Sequence, residues 1–104
     1  MHNTDGVVYS LRLYIAGDAV NSAQALANLR ALCRSHLPER HSIEIVDVFR
    51  EPERALADGI FMTPTLVRLA PLPLRKIVGT LSDVPTLMQA LDLPDDLGLK
   101  SAWS

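Results

Sequence analysis

Residues 7–49 run from an apolar strand-like stretch through a long Ala- and Leu-rich segment to a second apolar stretch, and this β-α-β pattern constrains the chain most. In VVYSLRLYIA (7–16), Leu11, Leu13 and Ile15 share one face while Ser10, Arg12 and Tyr14 share the other, the period of a strand. Its β-branched and aromatic residues fit that reading. Gly17-Asp18 breaks the strand. Asn21 and Gln24 have capping-box spacing ahead of SAQALANLRALCRSHL (22–37). There Leu26, Leu29, Cys33 and Leu37 form an inward stripe, with Arg30 and Arg34 outside, and Pro38 stops the helix. SIEIVDVF (42–49) is apolar almost throughout, which predicts a central strand covered on both faces. Strands joined by such a helical crossover run parallel.

The second half is built from shorter pieces. Glu51-Pro52-Glu53 opens a short helix to about Asp58, because proline is tolerated in a first turn. Residues 63–69 read as a turn into a strand, Pro71 and Pro73 interrupt, and 75–81 resume an extended pattern. Ser82 or Asp83 caps a last helix over 85–93, with Val84, Leu87, Met88 and Leu91 on one side. This order predicts a thioredoxin-like α/β fold, in which Thr63-Pro64 stands where a cis-proline precedes the third strand. One domain accounts for all 104 residues, with 1–6 and 95–104 as loose tails.

A redox enzyme on this frame needs a low-pKa thiolate where the first helix begins, with a resolving thiol beside it. Residues 17–22 (GDAVNS) carry no sulfur, and Cys33, the single cysteine, lies three turns later on the apolar stripe. Catalysis is not expected; Ser22 alone is thin support for a thioredoxin-like enzyme lacking CxxC. His2, His36 and His41 lack metal-ligand spacing, and Asp92, Asp95 and Asp96 lack an EF-hand's regular oxygens and glycine. No phosphate-binding glycine motif occurs, so no cofactor is expected. A net charge of -2 gives no footprint for nucleic acid, and no apolar run is long enough to span a membrane. The polar start MHNTDGVV does not read as a secretory signal, and a single cysteine suits a reducing compartment, the cytoplasm. Arg75-Lys76 forms a small basic edge, either strand protection or a docking edge.

The strings LRLYIAG (11–17), NS (21–22), IVDV (45–48), TPTL (63–66), P-LRKIVG-LS (73–82) and ALDL (90–93) closely resemble the KaiB circadian clock family over about 7–93. A related fold is the thioredoxin-like sensor domain of the histidine kinase SasA. The resemblance implies a non-catalytic protein that binds the ATPase KaiC, modulates its phosphorylation cycle, competes with the SasA-like kinase and sequesters KaiA. It also implies two folds: a homo-oligomer, dimer or tetramer, whose C-terminal half is β-α-α-β, and a thioredoxin-like monomer that binds KaiC. Tyr9, Arg75, Lys76 and Asp92 match family positions and are the candidate partner-interface residues. Gly17, Pro64, Pro71, Pro73 and Ala90 are the candidate fold or switch positions.

Four positions depart from the family pattern. Ala90 replaces a common glycine; alanine favours helix by roughly 1 kcal/mol, about fivefold toward the thioredoxin-like state if that segment is helical there. Gly59 stands where the family often has lysine, Glu44 replaces a basic residue and Asp95 a tyrosine. Lost basic and aromatic contacts weaken an interface, so a cognate partner of altered charge is expected for this divergent member, in a circadian, timing or stress system.

Overall fold

A computed structural model describes residues 7–93. The expected tails at 1–6 and 95–104 lie outside the described residues. Seven elements follow in order: β1 (Tyr9–Ile15), α1 (Val20–His36), β2 (His41–Asp47), α2 (Pro52–Ala57), β3 (Thr65–Ala70), β4 (Arg75–Val78) and α3 (Val84–Ala90). They form a four-stranded sheet in the order β2-β1-β3-β4. β1 pairs parallel with β2, Leu13 opposite Ile45, and antiparallel with β3, which pairs antiparallel with β4. The β-α-β start and the thioredoxin-like layout are both present.

The sheet has two unequal faces. One carries Leu11, Leu13 and Leu66 under α1 and α3, joined by Leu29, Cys33, Leu87 and Leu91 in a single buried cluster. The other carries Tyr14, Val46 and Val67 with Ala55 and Ile60, and its helical cover is the six-residue α2. The alternation along β1 sets this division, since odd and even positions point to opposite faces.

Three expectations need correction. β2 is an edge strand, and Ile45 is 36% exposed. Its apolar run arises because Ile43 packs on the α1 face and Val46 on the α2 face; such a run reports covered faces, not neighbouring strands. Asn21 does not cap α1. The helix starts at Val20, with Ala19 at its N-cap and no side-chain cap bond, because the turn after β1 is closed earlier by the Ala19 amide donating to the Ala16 carbonyl. On α3, Val84 is 43% exposed and falls outside the apolar side that Leu87 and Leu91 form. Asp83 does cap α3, accepting from the Thr86 amide at 3.3 Å and hydroxyl at 2.8 Å.

Candidate functional site

The β1–α1 turn occupies the corner where a thioredoxin-like enzyme presents its thiolate. Gly17 takes φ +56, a conformation that favours glycine, and a Cβ there would sit 3.3 Å from the exposed Phe49 ring. Asp47 closes the corner by accepting from the Gly17 and Phe49 amides at 3.1 and 2.9 Å. The Ser22 hydroxyl is buried and accepts from the Ala16 amide at 3.0 Å, which ties strand to helix. Cys33 is fully buried, and burial pushes its thiol up to about 11. It is protonated at neutral pH and shielded from reactants.

Beside this corner Thr63-Pro64 is cis, as are Ala70-Pro71 and Leu72-Pro73. Pro64 is buried and its carbonyl accepts from the Gly79 amide at 2.9 Å, joining the corner to the end of β4. Pro71 is half-buried and Pro73 exposed. The rim is strongly apolar: Phe49 is 74% exposed, Phe61 86% and Met62 63%, around a recess of about 240 Å³ bordered by Ala16 and Thr63. The sequence reading did not single out this trio; two phenylalanines and a methionine in loops were its signal.

The four candidate interface residues divide between the faces. Tyr9 is buried in the α1–α3 cluster. Arg75 and Asp92 meet: the Asp92 carboxylate accepts from Arg75 Nη2 at 3.2 Å and from Arg68 Nη2 at 3.3 Å. Asp92 sits at φ +59 just past α3, where its amide donates to the Gln89 carbonyl and the Leu93 amide to the Met88 carbonyl. This is a Schellman end with an aspartate in glycine's usual place. Arg68, unforeseen, is 1% exposed and donates to the carbonyls of Leu91 and Pro73. A lone charge inside TLVRLA was the visible clue. Ala90 is half-buried in the last turn of α3.

Lys76 points to the opposite face and donates to the Asp58 carbonyl. Gly59, the departure beside it, takes φ +70 and ends α2 in a second Schellman motif: its amide donates to the Leu56 carbonyl and the Ile60 amide to the Ala55 carbonyl. Glu44, a further departure, is bound to Arg12 Nε at 2.8 Å and to Arg54 Nη2 at 2.7 Å. Those arginines hold its carboxyl below the usual range, Arg12 foremost. Arg12 also donates to Asp58 at 3.0 Å, and the buried Tyr14 hydroxyl donates to the same carboxylate. Tyr14 and then Arg12 hold Asp58 low as well.

His41 donates to the Leu37 carbonyl at 2.7 Å. Among the described residues no three His, Cys, Asp or Glu side chains could hold a metal ion; His2, Asp95 and Asp96 lie outside them. Nor is any described helix long and apolar enough to cross a membrane.

Comparison with known structures places the fold. The mitochondrial thioredoxin 3 of Saccharomyces cerevisiae superposes with a TM-score of 0.67 at 18% identity, over 84% of this chain and 80% of that one. The N-terminal domain of Synechococcus elongatus SasA gives 0.67 at 17% identity, over 82% and 84%. In sequence, the chain is 40% identical to the circadian clock protein KaiB3 of Synechocystis sp. over 91 residues, 86% of this chain and 89% of the relative. It is 39% identical to the circadian clock oscillator protein KaiB of Synechococcus elongatus over 85 residues, covering 82% and 83%. The KaiB domain matches residues 12–93. On a thioredoxin-like frame, this sequence kinship over most of its length places the chain in the KaiB family.

Proposed function

We propose that this chain is a non-catalytic, cytoplasmic regulator of the KaiB type that binds a KaiC-like ATPase and modulates its phosphorylation state in a circadian, timing or stress system. The carrying observation is the sulfur-free β1–α1 corner in a chain of the KaiB family: the frame offers a shaped surface and no nucleophile. Arg75 and Asp92 at the α3 end, Lys76 on the opposite face and the edge near Tyr9 are its interface positions, and KaiA or a SasA-like kinase are its further partners. Conversion between this fold and an oligomeric one, centred on Gly17, Pro64, Pro71, Pro73 and Ala90, is part of the same reading. The helical state of residues 84–90, with Ala90 inside, supports a resting population weighted toward the thioredoxin-like form.

Mixing the purified chain with the KaiC homologue from the same genome, with ATP, and measuring complex mass by light scattering tests this. The expected outcome is an ATP-dependent complex weakened by Arg75→Glu, with a monomeric free chain. No complex with any KaiC-type ATPase of that genome, or glutathione transfer abolished by Ser22→Ala, would sink the reading.

A further inference from the structure

α2 buries little. Of its six residues Ala55 is the buried one, while Leu56 is 72% exposed. What reaches it instead is a continuous run of charge. Glu51, at its N-cap, accepts from Arg54 at 3.3 Å; Arg54 donates to Glu44 of β2 at 2.7 Å; Glu44 accepts from Arg12 of β1 at 2.8 Å; and Arg12 donates to Asp58, at the C-cap of α2, at 3.0 Å. Tyr14 of β1 and Lys76 of β4 add bonds to the Asp58 carboxylate and carbonyl. Beneath the helix lie Tyr14, Val46 and Val67, each 1% exposed or less. Their edge is continuous with the exposed Phe61 and Met62 through Ile60.

We propose that α2 is a strap, fastened to β1 and β2 by the Glu51–Arg54–Glu44–Arg12–Asp58 chain and to β4 by Lys76, which opens locally and uncovers the apolar face beneath it while the rest of the fold stays closed. Solvent-accessible ion pairs are screened by salt, whereas the apolar packing under α1 and α3 is not. Salt screens the Asp92 pairs to Arg68 and Arg75 as well, but Leu87 and Leu91 are buried beneath α3, so that helix stays seated under conditions that loosen the strap. It is distinct from conversion of the whole C-terminal half, and it holds whether or not a KaiC-like ATPase is the partner.

Amide hydrogen exchange read by NMR on the full chain tests this. The reporters are the amides of Asp58, Gly59 and Ile60, bonded to carbonyls of α2. In ~1 M NaCl, and separately in Asp58→Asn at low salt, these exchange at least about fivefold faster. Leu37 at the end of α1 and Leu91 at the end of α3, whose amides are bonded to Cys33 and Leu87, stay within about twofold. Glu44→Gln cuts the chain at another link and gives the same pattern. Unchanged α2 reporters in all three conditions overturn the strap. So does equal loosening of Leu91 or Leu37, since the C-terminal half, or the whole molecule, is then what opens.

Discussion

The two faces of the sheet solve one problem by different means. Each short helix ends in a Schellman turn beside an aspartate gripped by strand arginines: Asp92 by Arg68 and Arg75 after α3, Asp58 by Arg12 after α2. On the α1–α3 face that grip rests on a thick apolar layer, since Leu87 and Leu91 are buried and Arg68 is sealed beneath them. On the α2 face the polar grip is the main fastening, and apolar side chains at its rim remain open to solvent. Burial is close to proportional to area and carries no charge for NaCl to screen or acid to titrate, while ion pairs near the surface respond to both. The molecule thus has a permanent side and an adjustable one.

Substitutions sharpen that contrast. Leu29→Ala, in the thick layer, is expected to cost about 2–5 kcal/mol in urea denaturation, through lost burial and a cavity; a cost under about 1 kcal/mol would mean the layer is loosely packed. Arg68→Met leaves the Leu91 and Pro73 carbonyls without their donor, and about 1–3 kcal/mol is expected from the same measurement. Tyr14→Phe, on the thin side, removes one bond to Asp58 without changing packing. About 1 kcal/mol is expected from the same measurement; no loss would show that this bond does not help to fasten α2.

The smallest effect concerns acid. Asp58 and Glu44 have folded carboxyls held below their unfolded range. Their contribution is complete above that range, roughly pH 4, and is lost as pH falls through the lowered folded values. Urea midpoints should therefore drop on acidification, and Asp58→Asn should flatten the drop. An unaltered acid limb in that variant would show that other carboxylates set it.

Much of this was legible where the determinants are local. The alternation of β1, the Gly17 turn, the Asp83 cap and the missing thiol are all contained within a few residues. The capping-box spacing at Asn21 misled, because a turn bond from Ala19 to Ala16 fixed the helix start before a side chain was needed. Whether β2 lies in the middle or at an edge depends on where β3 pairs, which its apolar run does not encode. The charge chain was out of reach for the same reason: Arg12 is 32 residues from Glu44 and 46 from Asp58. Three apolar loop residues gave the rim away, yet periodicity has nothing to say about residues outside helices and strands.

Cys33 gives the purified chain a built-in tamper seal. Sulfur packed against Leu29 and Leu37 in the closed molecule has no route to a second copy or to a colorimetric thiol reagent. A covalent dimer on a non-reducing gel, or rapid colour with that reagent, therefore reports a parting of α1 from the sheet in stored material, before any binding assay is attempted.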